Sequence, residues 1–257
     1  MKKEKNKKAQ ITIFIIIGII LIAVIALVFS LLPGKKDYTS PNIVKGDIQK
    51  CERDAVMEAE KAILPSGGLI NLSLQNYIGF NGTNILWFCY TPKNRELCVT
   101  KHPLLNLEME NEIKRLAEPK IIRCFENIKG ELSGYNYQEG LLNFNVIITP
   151  DNIVINSSKE ITYTVNEQTR TISNFDTIIL SPAYDFIAIS NRIINEELSC
   201  NCPQESCNPD VTLYNKYYPD FEIIKPAYST NGSEAYSIRE ILTNKKFNFA
   251  VRNCVRS

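Results

Sequence analysis

Apolar and polar positions divide the chain into one long hydrophobic block and a series of short periodic stretches. Ile11 to Leu32 is an unbroken apolar run with no charged residue. At about 22 residues and roughly 1.5 Å of rise each, it predicts a helix long enough to cross a bilayer core of about 30 Å. Pro33-Gly34 ends it, and Asp37 to Lys45, within a segment 33–46, reads as a stalk. Helical spacing follows from Asp47, a candidate cap, to about Leu64, with Ile48, Cys51, Ala55, Ala59, Ala62 and Ile63 on one face. Pro65-Ser66-Gly67-Gly68 stops that helix. Leu69–Leu74 and Ile85–Tyr90 read as strands flanking Asn81-Gly82. A second helical pattern spans Asn106 to Ala117, with Leu107, Ile113 and Leu116 inward; Pro119 breaks it or starts a new turn, and the pattern resumes to Ile128.

From Gly134 the period changes to two. Leu142, Phe144, Val146 and Ile148 alternate with Asn143, Asn145 and Ile147, which predicts a half-buried strand. Pro150-Asp151-Asn152, Ser157-Ser158-Lys159 and Asn166-Glu167 read as turns of an antiparallel meander that runs to Phe175. Pro182 to Leu198 returns to helical spacing, through Tyr184, Ile187, Ala188, Ile193 and Ile194. Leu213–Ile224 reads as extended, Ser233–Leu242 as a short helix and Lys246–Arg252 as a last strand. Helices and an antiparallel sheet in this order predict an α+β domain over 47–257, with a possible sub-boundary near residue 130.

Charge sets the expected orientation of the apolar block. Lys2, Lys3, Lys5, Lys7 and Lys8 precede it within residues 1–10, and only Lys35 and Lys36 follow closely. The stronger positive flank stays cytoplasmic, so the expectation is a single-pass plasma-membrane protein with its N-terminus inside and its α+β domain outside the cell. Leu31-Leu32-Pro33-Gly34 offers no Ala-x-Ala cleavage pattern, so the chain reads as anchored rather than released. The chain as a whole carries 29 basic and 28 acidic residues. With much of the basic excess before the apolar block, no nucleic-acid partner is expected.

Lys7-Lys8-Ala9-Gln10-Ile11-Thr12-Ile13-Phe14 resembles the class III signal sequence of archaeal type IV pilin-like proteins. The resemblance covers about 25 residues, the length of one signal and anchor. It implies cleavage between Ala9 and Gln10 by a prepilin-type peptidase, with the apolar helix kept as membrane anchor and, in filaments, as packed core. The acid that many such pilins carry early in that helix is replaced here by Thr12-Ile13-Phe14-Ile15. The whole layout also resembles a group of membrane-anchored proteins from small-genome archaea, with a basic-Gln-Ile-Thr-Ile-Phe start, an early Cys-bearing helix, a Gly-Gly turn and a mixed α/β ectodomain.

All eight cysteines follow the apolar block, and an even count in an oxidising exterior reads as disulfides. Cys89 and Cys98 bracket a Pro-Asn turn and are expected to pair across it; Cys51 and Cys124 lie on the apolar sides of two predicted helices and could staple them. Cys200, Cys202, Cys207 and Cys254 would form a second cluster, its connectivity open. A four-cysteine zinc site is the competing reading, disfavoured by the single residue between Cys200 and Cys202. Sequons begin at Asn71, Asn81, Asn156 and Asn231 and are candidate glycosylation sites.

Catalytic signals are thin. His102 is the only histidine, and the chain has no Gly-x-Ser-x-Gly elbow, phosphate loop, His-Glu-x-x-His or calcium loop. Glu108, Glu110, Glu196 and Glu197 read as solvated helix faces, and Tyr214, Tyr217, Tyr218 and Phe221 as packing residues rather than a binding patch. The expectation is a non-enzymatic surface protein without metal or cofactor, acting in adhesion, cell contact or a pilin-like assembly. Its partners would be the membrane and either another surface protein or further copies meeting through the apolar helix. The alternatives are an anchored ligand-binding ectodomain that does not polymerise and an anchored extracellular hydrolase.

Overall fold

The computed structural model describes residues 17–25, 27, 40–70, 77–199, 202, 209–226 and 232–255. The chain divides between Thr39 and Ser40 into two units. In the first, residues 17–25 and Leu27 are helical, and Ile17, Ile19, Ile20, Leu21, Ile22, Val24 and Ile25 are between 47% and 69% exposed. Among the described residues no helix is long and apolar enough to cross a membrane. Most of the 11–32 stretch lies outside those residues, as do the basic segment 1–10, with Ala9 and Gln10, and residues 33–39.

The second unit is α+β. Helix α1 (Pro41–Ile63) starts earlier than the Asp47 cap reading, within what the sequence suggests is stalk. Pro41 occupies the first turn, where its missing N–H costs nothing, and Val44 and Ile48 are fully buried. Each such aliphatic burial contributes roughly 1.5–3 kcal/mol, enough to extend a helix through a polar-looking lead. A 3-10 turn (Leu64–Ser66) ends at Gly67 and Gly68, both at positive φ. A Cβ on Gly67 would lie 2.8 Å from the Asn248 carbonyl oxygen, so the turn requires glycine there.

Helix α2 (Leu105–Glu131) runs through Pro119 without a break. The inward row is Leu105, Met109, Ile113, Ala117, Ile121, Cys124, Phe125 and Ile128, whereas Leu107 is 52% exposed and Leu116 half-buried. Both halves of that row are buried, which offsets the hydrogen bond that the proline removes. The Cys51–Cys124 disulfide clips α2 to α1.

The meander consists of β4 (Asn136–Glu139), β5 (Asn143–Thr149), β6 (Asn152–Val165), β7 (Gln168–Asn174) and β8 (Thr177–Leu180). Strand β6 is the spine: β5 and β4 follow one edge, β8 and β7 the other, all antiparallel. Ser157-Ser158-Lys159 is therefore not a turn. It lies inside β6, where a bulge between Ser158 and Ile161 absorbs the polar run while Ser157 points inward. Asn166 and Glu167, with φ of 49° and 65°, form the two-residue hairpin turn from β6 to β7. Phe144, Val146, Ile148, Ile153, Ile155, Ile161, Tyr163 and Ile179 make the inner face.

A second sheet has the order β1 (Tyr77–Phe80), β2 (Thr83–Tyr90), β11 (Lys246–Arg252), β10 (Glu234–Glu240), β9 (Phe221–Ile224), with β3 (Val99–Thr100) also on β2. Strand β11 is parallel to β2 and antiparallel to β10. The segment over 233–242 is strand β10 and not a helix, since Ala235, Tyr236 and Ile238 are buried within a sheet whose neighbours supply their hydrogen bonds. Leu213–Ile224, expected as extended throughout, contains helix α4 (Val211–Tyr217) capped by Asp210, whose side chain accepts from the Thr212 N–H at 2.9 Å. Of the expected 69–74 strand, residues 71–74 lie outside the described set and Leu69 and Ile70 are not in a strand; the strand that precedes Asn81-Gly82 is β1, from Tyr77.

Helix α3 (Ala183–Leu198) joins the two sheets into one core. Phe186 stacks on Phe247 at 5.5 Å, and Phe249 stacks between Phe88 and Tyr236 at 4.7 and 5.2 Å. Tyr184 and Ala188, expected on the inner side of α3, face solvent.

Candidate functional site

The outer face of the meander is the most distinctive surface of the domain. Cross-strand registers set its residues in rows. Ile147, Val154 and Ile178 are aligned across β5, β6 and β8, with Leu180 beside Asn152 in the next row. Asn145 stands opposite Asn156; then Asn143, Ser158 and Asn174 align. Gln138, Thr162 and Thr171 follow, then Asn136, Thr164 and Thr169. The face thus begins with an aliphatic row, Ile178 being 62% and Leu180 81% exposed, and continues as amides and hydroxyls.

Period-two alternation generates this arrangement: beyond the aliphatic row, the inward Phe, Val, Ile and Tyr positions leave outward Asn, Ser, Thr and Gln. The threonine pairs are locked together, Thr162 to Thr171 at 3.0 Å and Thr164 to Thr169 at 3.2 Å between hydroxyl oxygens. The asparagines are different. Asn106, Asn152, Asn215, Asn248 and Asn253 all spend their amides on hydrogen bonds within the protein. Among the described residues, the side chains of Asn143, Asn145, Asn156 and Asn174 have no such partner. These four residues line, with Phe144, Ser157, Ser158 and Asp176, a groove of about 480 Å³. Asp176 and, at the bulge, Glu160 are the acids here; the named rows contain no lysine or arginine.

Beneath the groove lies a buried acid. Glu52 of α1 is fully buried, and Ser157 Oγ donates to its Oε1 at 2.6 Å while Oε2 has no partner. Burial pushes the Glu52 carboxyl up to about 7, against the lowering effect of the Ser157 hydrogen bond and the nearby Thr177 hydroxyl, and Asp176 adds to the rise. Glu60, two turns on, receives Ser181 Oγ at 2.6 Å and the Lys245 ammonium at 2.8 and 2.9 Å. Glu197 of α3, read as solvated from sequence, is 1% exposed. The Tyr236 hydroxyl donates to its Oε1 at 2.6 Å, and burial raises its carboxyl well above the usual range. These acids were missed because glutamate reads as surface. The signal was present in α1, where Ile48, Glu52, Val56, Glu60 and Leu64 form one i, i+4 row on the buried side.

His102 is a packing residue. Its Nδ1 lies 2.6 Å from Glu108 Oε2, its ring contacts Phe88, and its side chain is 9% exposed. Glu110 accepts from the Ile148 N–H at 2.9 Å, so neither acid of that pair is a free solvated group. Tyr214 is buried, whereas Tyr217 is 55% exposed under the Arg192 guanidinium.

Cys89 is bonded to Cys98, and Cys202 to Cys254. Cys200 and Cys207 lie outside the described residues, as do the sequon residues Asn71 and Asn231. Among the described residues no cysteine is free, and no three or more His, Cys, Asp or Glu side chains gather as a metal site. Asn81 is exposed at the tip of the β1–β2 hairpin at positive φ, and Asn156 is exposed in the middle of β6. Neither a protein-family model, nor a curated protein, nor a solved structure matches the chain.

Proposed function

We propose that this is a single-pass, N-in surface protein, held by the 11–32 segment, whose α+β domain makes contacts outside the cell through the open face of the meander. The observation that carries the contact role is that face: an aliphatic row beside four unspent amides, on a rigid sheet. Exposed apolar surface bordered by polar groups is characteristic of interaction sites. The disulfides support an oxidising compartment for the domain, and the exposed apolar side chains over residues 17–25 support a lipid-facing helix.

Protease shaving of intact cells tests the topology: peptides from residues 40–257 are released, and those before residue 11 are protected. Release of neither sinks the surface reading. A second reading, a pilin-like subunit, rests on the Ala9-Gln10 junction. The intact mass of membrane-extracted protein decides it. A chain beginning at Gln10 supports processing, and one retaining its lysines leaves a plain anchored domain.

A further inference from the structure

We infer that the groove on the meander binds a neutral, hydroxyl-rich glycan, a reading that rests on the contact role proposed above and specifies its ligand. Each amide of Asn143, Asn145, Asn156 and Asn174 offers both donors and an acceptor, and each is unspent within the described residues. Hydroxyl groups that are themselves donor and acceptor are the natural complement of such an array.

Other ligand classes match less well. A protein-interface core is rich in Tyr, Trp, Met and Arg and poor in Ser, and none of those four enriched types lines this groove. Nucleic acid requires clustered cations, and the rows contain none. Asp176 inside the groove and Glu160 at the bulge repel uronates and sulfated sugars, which restricts the partner to uncharged chains. The adjoining Ile147–Val154–Ile178 row supplies an aliphatic surface for the C–H face of a sugar ring. A groove of about 480 Å³ lies within the ~300–1,000 Å³ range of small-ligand sites. It accommodates a short stretch of a polymer, so single-site binding is weak and many anchored copies on one surface strengthen it.

The test uses the full chain in detergent, passed over immobilised dextran, mannan and an N-acetylglucosamine oligomer, with polygalacturonate as the charged comparison. At least one neutral polymer retains the protein, and polygalacturonate retains it at least tenfold less. Asn145→Ala and Asn156→Ala each weaken retention tenfold or more, while Lys216→Ala, on α4 and not on this face, leaves it unchanged. All three sites are exposed, and an unaltered melting temperature verifies that each variant is folded. Lack of retention by every neutral polymer overturns the inference. So does equal binding of polygalacturonate, or wild-type binding by both asparagine variants. A glycan already attached to Asn156, visible in the mass of the tryptic peptide ending at Lys159, also overturns it, because the groove is then filled by the protein's own sugar. Cells that adhere through this protein without any polymer retention would preserve the contact role and reject the glycan.

Discussion

Ser157 and Glu52, separated by 105 residues, are joined by a 2.6 Å hydrogen bond that ties the middle of β6 to α1. This bond holds a carboxyl in a fully buried site, its other oxygen without a hydrogen-bond partner. Ser157 points inward by the same alternation that buries Ile153 and Ile155, so this bond is part of how the meander seats on its helices.

Stability should depend on pH through this acid. The Glu52 carboxyl rises from 4.5 in the unfolded chain to about 7 in the fold. The folded state binds more protons between those values, so the group's contribution is fully present below pH 4.5 and is lost as pH rises to about 7. The loss is on the order of 3 kcal/mol. Glu52→Gln removes this slope, making the protein more stable than wild type at pH 8 and little changed at pH 4.5. Urea unfolding at both pH values measures it.

Tyr236→Phe removes the hydroxyl that donates to the buried Glu197. A hydrogen bond to a charged group contributes about 1.5–3 kcal/mol, so the variant is destabilised at pH 8 and less so at pH 5, where the carboxyl takes up a proton. Equal losses at the two values would show that packing, not the hydrogen bond, holds this pair.

The Cys51–Cys124 crosslink closes a loop of 73 residues. Replacing both with alanine should cost about 4 kcal/mol and lower the melting temperature by roughly 10 °C. Differential scanning calorimetry of the double variant provides the check.

Glu167 sits at φ 65° in the β6–β7 turn. Glycine adopts that conformation without strain, so Glu167→Gly should stabilise the hairpin by about 0.5–1 kcal/mol. A loss of stability on denaturant titration would show that the glutamate has a role beyond the turn.

The meander and the α1, α2 and α3 helices were legible because their apolar periods are clean, and the Asn-Glu turn announces its hairpin, whereas the strand before Asn81-Gly82 lies at 77–80 and not in the more apolar 69–74 stretch. What was not legible came from residues whose local preference yields to tertiary packing. Pro119 persists within α2 because buried side chains flank it on both sides. Ser157-Ser158-Lys159 looks like a turn but is a bulge, since β6 finds partners on both edges only once the fold is assembled. The 233–242 stretch suggested a helix in isolation and became β10 through its neighbours β9 and β11, one from before it in the chain and one from after. The groove was half-legible: alternation gave the outward asparagines of β5, but their alignment with Asn156 and Asn174 depends on register.

Strand β11 lies between β2 and β10, yet it comprises residues 246–252 of a 257-residue chain. Its neighbour β2 was made some 160 residues earlier and must wait with one edge open. The meander, continuous over residues 136–180, can close while synthesis is still under way. Biogenesis is thus ordered by position: one sheet is assembled early from neighbours in the chain, and the other is completed only when the last strand arrives to fill its centre.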